Sequence, residues 1–177
     1  MYIMDVVFGE VSNVDGDVSI PVISGDGRKV FKQFNNVRVE DADQDQVVFN
    51  LQENDLSSYD DDILAAAKVH KKEWFGREIK DSVIDKSYRS PVTDGLFTTS
   101  TLRTAGGDCG VRCFNHQKEA IEFSDLTEGM VCSVVVELKR ICLYKKTWEP
   151  EWYSVQVRTA PIPAPDPYDG YLFQDDE

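Results

Sequence analysis

The run VCSVVVELKRICLYK, residues 131–145, constrains the fold more than any other segment. It is dense in β-branched residues, and its length suits a strongly curved central strand. EPEWYSVQVR follows it as a closing strand. Upstream, MYIMDVVFGEV, NVDGDVSIPVI, VFKQF, NNVRVE and QDQVVFNLQ alternate short apolar runs with turn signals. Residues 1–52 therefore read as mostly β, with SGDGRK as a hairpin-like turn and DADQD as an acidic loop. LFTTSTLRT, VRCFN and KEAIEF add further short strands around the glycine-rich loop AGGDCG, and DLTEGM is a turn.

Two segments break the β pattern. Asp60, Asp61 and Asp62 precede ILAAAKVHKK. Acidic groups in a first turn and basic groups in a last turn both oppose the helix macrodipole, so a helix is predicted over 60–74. REIKDSVIDKSY places Ile79, Val83 and Ile84 on one helical face, and Pro91 stops it. Nine or so short strands with one or two inserted helices predict a mainly β fold, an OB-fold-like Greek-key barrel. A jelly roll or another β-sandwich is the alternative. Four prolines between residues 161 and 167 favour extended, polyproline-like geometry. The expected organisation is an OB-fold-like domain over 1–158 and a Pro-rich linker with an acidic aromatic tail over 159–177.

Charge bears on the choice of partner. The chain of 177 residues has a net charge of −13, which at face value opposes nucleic-acid binding. The charge is uneven. Residues 1–65 hold four basic groups against 14 acidic ones, residues 66–160 hold 15 against 13, and residues 161–177 hold none against five. The middle is thus slightly basic, and it carries all three tryptophans. A polyanion partner is not excluded. No stretch has signal-peptide character, and no apolar run approaches the ~18 residues of a membrane span. The four cysteines are then expected to be reduced thiols in an intracellular protein, with no membrane partner.

Signals for enzymatic chemistry are thin. Only His70 and His116 are present, and no GxSxG, P-loop or GxGxxG motif occurs. Cys109, Cys113 and His116 follow a C-x3-C-x2-H spacing that zinc tolerates, with Cys132 as a fourth thiol, but a second ligand pair is missing. DADQD lacks the glycine and glutamate of a calcium loop. The expectation is no enzyme, no cofactor and no metal.

The informative pattern is the interleaving of basic and aromatic residues. Lys71, Lys72, Trp74 and Arg77 lie in KKEWFGREIK, and Arg89 ends KSYR. Lys139, Arg140, Tyr144, Lys145, Lys146, Trp148 and Arg158 lie in LKRICLYKKTWEPEWYSVQVR. Arg103 and Arg112 flank the glycine-rich loop. Single-stranded nucleic acid needs cations along its backbone and aromatic faces for its bases, each stacked base contributing about 1–3 kcal/mol. These residues are the candidate DNA-binding set. Trp148 and Tyr144 are expected at the surface because they sit in the polar hairpin YKKTWEPE.

WFGREI and SYRSP, then DLTEGM, VVVELKRICL and EWYSVQV, resemble a family of small proteins of large double-stranded DNA viruses of algae and protists. That family is related to the OB-fold single-stranded DNA-binding proteins of certain phages. The likeness spans roughly residues 73–158 and the acidic tail. It rests best on Trp74–Phe75–Gly76 and on the turn from Leu126 to Gly129. It implies sequence-independent binding of single-stranded DNA in viral replication or recombination, at the replication site of an infected cell. It also implies a tail that modulates DNA binding and recruits a polymerase, primase or helicase through Tyr168, Tyr171, Phe173, Asp175, Asp176 and Glu177. Phe173 is followed by four further residues, a departure from the terminal aromatic of the phage proteins. A homodimer is left open. The alternative is a structural or minor capsid protein whose aromatics are interface anchors.

Overall fold

The β-branched run forms the strand around which the other elements are arranged. A computed structural model describes residues 6–162. In chain order the strands are β1 (Val6–Phe8), β2 (Ser12–Val14), β3 (Asp17–Ser24), β4 (Val30–Ala42) and β5 (Gln46–Asn50). Three helices follow, α1 (Ser57–Val69), α2 (Lys71–Phe75) and α3 (Asp81–Ser87). Then come β6 (Val92–Thr93), β7 (Leu96–Thr101), β8 (Arg112–Phe114), β9 (Ala120–Ile121), β10 (Val131–Leu143) and β11 (Trp148–Thr159).

β10 pairs with β4 along one edge and with β11 along the other. β4 continues to β5, β5 to β7 and β7 to β11, so five strands close into a barrel. All these pairs are antiparallel except β7–β11. This is the Greek-key closure of an OB-fold, as the sequence predicts. Register shifts interrupt β10 against both neighbours, and such bulges add the twist that a closed barrel needs. Inward positions of the strands, including Phe49, Phe97, Val134, Val136, Leu138 and Val157, are fully buried. The parallel seam covers only Tyr153–Ser154 against Ser100–Thr101. There the buried Thr99 hydroxyl lies 2.5 Å from that of Ser154 and also donates to the Val47 carbonyl, so the short seam leaves these polar groups satisfied.

The helices are more numerous than expected and differently bounded. The helix expected over 60–74 starts at Ser57, where the Asp55 carboxylate accepts from both the backbone N–H and the hydroxyl of Ser57. It breaks at His70, whose N–H still closes on the Ala66 carbonyl before α2 begins. The break turns Trp74 inward. Gly76 then ends α2 at φ 69°, a left-handed conformation that favours glycine, which accounts for the third residue of the WFG motif. The glycine of the Leu126–Gly129 turn has φ 89° and donates to Val39 at 2.7 Å, tying that turn to β4. The helix expected in REIKDSVIDKSY is α3, which is shorter than its periodicity suggests and begins only at Asp81, so Ile79 lies outside it. It stops at Ser87 because Tyr88 is extended and bridges to Trp148.

β11 runs to Thr159, and the Ala160 N–H bonds the Val131 carbonyl. The tail residues Tyr168, Tyr171, Phe173, Asp175, Asp176 and Glu177 lie outside the described residues.

Candidate nucleic-acid interface

The site is built where the helical insertion meets the β10–β11 hairpin. Trp148, expected at the surface, is only 1% exposed, and Trp74 is 5% exposed. The local polarity of YKKTWEPE misleads here, because the cover for Trp148 comes from α2 and α3. Its indole N–H donates to the Ile84 carbonyl at 3.1 Å. Trp74 and Phe75 meet its ring edge-on, and the Tyr88 ring lies 4.6 Å away. The Arg89 N–H donates to the Trp148 carbonyl at 2.9 Å. Tyr88 and Ser90 both donate to the Asp60 carboxylate, which fastens α1 to the same cluster. Burial, then Asp60, pushes the Tyr88 phenol well above the usual tyrosine range. The two tryptophans are therefore the rigid backing of the hairpin and not its stacking surface.

Tyr144 is the aromatic that does project. It is 57% exposed, and its N–H closes the hairpin on the Thr147 carbonyl at 2.8 Å. Partial desolvation against the hairpin, then Cys142 and Glu149, pushes its phenol up to about 12, so it is neutral at physiological pH. Lys145 and Lys146 beside it are exposed and make no ion pair among the described residues.

Two clefts meet at Tyr144. One, of about 650 Å³, lies on the outer faces of β5, β7 and β11. Its floor includes Gln46, Val48, Thr98 and Ser100, and Arg89, Asp94, Glu149 and Glu151 stand around it. The other, of about 420 Å³, lies between the hairpin and α2–α3. Phe75, Ile79, Val83, Leu143 and Trp148 give it an apolar lining, and Arg77, Lys145 and Lys146 give it three cations. In OB-folds the faces of the second and third barrel strands, here β5 and β7, and the hairpin between the last two strands carry oligonucleotides.

The remaining candidates do not join this group. Lys71 is held by Asp81 at 3.2 Å and Glu78 at 3.8 Å, while Lys72 is exposed on α2. Arg103 is paired with Asp45 beside the β4–β5 turn. Arg140 is paired with Glu151, which also accepts from Tyr153 at 3.0 Å, and Lys139 lies 4.8 Å over the Tyr153 ring. Arg112 and Arg158 sit on the β8–β11 pair, opposite Gln156 and Phe114 respectively. Arg158 borders a shallow pocket of about 290 Å³ with Gln33, Lys118 and Val135. The expected set thus divides into one convergent group, Arg77, Arg89, Tyr144, Lys145 and Lys146, and several that are dispersed or already paired. Val83, Thr98 and Ser100 were not expected in the site. As ordinary helix and strand residues they carry no local signal for it.

Cys113 and Cys132 are buried, and desolvation pushes their thiols up to about 11 and about 12. Among the described residues no three histidine, cysteine or acidic side chains gather closely enough to hold a metal ion.

Residues 35–175 match the model of a family of unknown function, DUF5871. The chain belongs to this family. No curated protein matches the DUF5871 chain in sequence. Among solved structures it is similar to the C-terminally truncated single-stranded DNA-binding protein of bacteriophage Enc34, with a TM-score of 0.51 and 12% identity. The match covers 90% of the DUF5871 chain and 98% of the phage chain. The same phage protein in complex with single-stranded DNA aligns at a TM-score of 0.48 and 13% identity, covering 89% and 97% of the two chains. At such identity the first likeness establishes a shared fold.

Proposed function

We propose that this DUF5871 protein binds single-stranded DNA without sequence preference, through the β10–β11 hairpin and the clefts on either side of it. The observation that carries this reading is the exposed Tyr144 followed on the hairpin of an OB barrel by two lysines that make no ion pair among the described residues, with Arg77 and Arg89 on the adjoining walls. A projecting aromatic face beside cations suits unstacked bases and their phosphates, and a duplex offers no free base face to it. The fold shared with the phage Enc34 protein supports the reading. The sequence likeness to proteins of large DNA viruses favours a role in viral DNA replication or recombination.

The direct test is fluorescence anisotropy with an oligo-dT of about 16 nucleotides, the upper site size for one OB-fold. Saturable binding at low salt that exceeds binding to the matching duplex is the expected result. No binding to either oligo-dT or oligo-dA would end the proposal. The tail, with five acidic groups and no basic one, acts in this reading as an electrostatic competitor and as a contact for replication partners. Deleting 161–177 should tighten oligo-dT binding most at low salt, and an unchanged affinity would remove the competitor role.

A further inference from the structure

We propose that α2 and α3 form one wall of the nucleic-acid site. The strand runs from the β5–β7 face over Tyr144 into the helix-lined cleft, and not toward the β4–β5 turn. This rests on the single-stranded DNA reading above and specifies its route. The usual OB surface extends from the loop between the first two barrel strands to the loop between the last two. Here the first of these loops is closed to phosphate. Asp41, Asp43 and Asp45 cluster there. The Asp43 carboxylate is occupied by the N–H groups of Asp45 and Gln46, at 2.7 and 2.8 Å, and Arg103 is paired with Asp45. The turn has three carboxylates and its one cation is committed, so it repels a polyanion. The β5–β7 cleft also holds three carboxylates, Asp94, Glu149 and Glu151, but Glu151 is paired with Arg140, and Arg89 makes no ion pair among the described residues.

The opposite end has the reverse character. No carboxylate occurs among the described residues lining the helix-side cleft, while Arg77, Lys145 and Lys146 all do line it. Three acidic groups of the same segment are already paired with lysines. Glu78 and Asp81 hold Lys71, and Asp85 holds Lys68 at 2.7 Å. Val83 is 48% exposed at the cleft, apolar surface that a base can cover. Trp74 and Trp148 hold the hairpin and α2 in contact beneath it, so the wall is preformed.

The route is tested with the full chain by salt-titrated anisotropy on oligo-dT. Each phosphate contact contributes about −0.7 to the log–log salt slope for a single strand. Arg77→Gln should reduce the steepness by about 0.7 and weaken binding, and Val83→Glu should weaken it at least about tenfold by placing a carboxylate against phosphate. Gln44→Lys, which adds a cation to the β4–β5 turn, should leave slope and affinity unchanged. Photo-crosslinking with a bromodeoxyuridine oligonucleotide should label peptides containing 72–83 and 143–148. Far-ultraviolet circular dichroism confirms that each variant folds. A Gln44→Lys gain with an Arg77→Gln variant indistinguishable from wild type, or crosslinks confined to 43–48, would overturn the route while leaving DNA binding intact. Absence of binding by the wild-type chain would overturn both.

Discussion

Replacing Trp148 with Phe tests whether the hairpin is anchored by the helices as described. Two effects contribute. The first is the lost indole hydrogen bond to Ile84. Stranding a buried carbonyl would cost up to about 3 kcal/mol, but the Ile84 oxygen still accepts from the Tyr88 N–H at 3.1 Å. Only the net value of one bond is then lost, about 1 kcal/mol. The second is volume. Phe is smaller than Trp by about 40 Å³, and a cavity costs about 24 cal/mol per Å³, which adds about 1 kcal/mol. The expected destabilisation is about 2 kcal/mol, read as a shift of the urea midpoint at constant slope. In a thermal melt that is a fall of about 4–8 °C for a chain of this size. Trp148→Ala removes the whole ring and should cost about 3–5 kcal/mol. A Trp148→Phe loss below about 0.5 kcal/mol, the level of an ordinary surface change, would refute the buried anchor and return Trp148 to the role of a stacking ring.

Lys145→Gln with Lys146→Gln should halve the salt dependence of oligo-dT binding, from about −2.8 for the four convergent cations to about −1.4; an unaltered slope would remove the hairpin lysines from the interface. Stability should fall as pH rises above 10. The folded state holds the Tyr88 proton where the unfolded chain, with an ordinary phenol near 10.0, has released it. Urea midpoints from pH 8 to 11 should therefore drop more steeply for wild type than for Tyr88→Phe, and parallel curves would contradict the burial assigned to that phenol. Thiol titration at pH 8 should find one fast cysteine, the half-buried Cys109. Cys113, Cys132 and Cys142 should react only on unfolding, because desolvation holds them protonated with values of about 11 to 12. Two or more fast thiols would count against the buried positions.

The barrel was legible because its signals are local. β-branched runs between turn residues locate strands, and the long run 131–143 could only be a strand shared by two neighbours. The parallel seam was not legible. It joins Ser100–Thr101 to Tyr153–Ser154 through two residue pairs, and nothing in either segment alone specifies the other. The site was half legible for the same reason. Tyr144, Lys145 and Lys146 follow from their hairpin, whose exposure is a local property. Trp148 reads as a surface residue because its cover lies 64 residues away at Ile84, and Arg103 reads as a DNA-binding candidate because its partner Asp45 is 58 residues away. A polar neighbourhood in sequence says where water would be if nothing else arrived; here the helical insertion arrives.

The interleaving of aromatic and basic residues has two readings, core and binding surface, which for any one residue exclude each other. In the convergent group they depend on each other. Trp74 and Arg77 lie three residues apart in the α2 segment, and Tyr144, Lys145, Lys146 and Trp148 lie within one hairpin. The tryptophans meet face to edge beneath the cleft, with ring centroids 6.3 Å apart, and that contact brings the two cationic segments to opposite lips of one groove. Without it, Arg77 and the hairpin lysines would sit on separate mobile supports. Their joint attraction for a phosphate chain would then be reduced by the entropy of bringing them together. A Trp74→Ala variant should accordingly weaken oligo-dT binding although Trp74 is 5% exposed, and the loss should exceed that of Arg77→Gln because both lips are released. If Trp74→Ala folds and binds as wild type does, the aromatic cluster is core alone, and the cations act without its support.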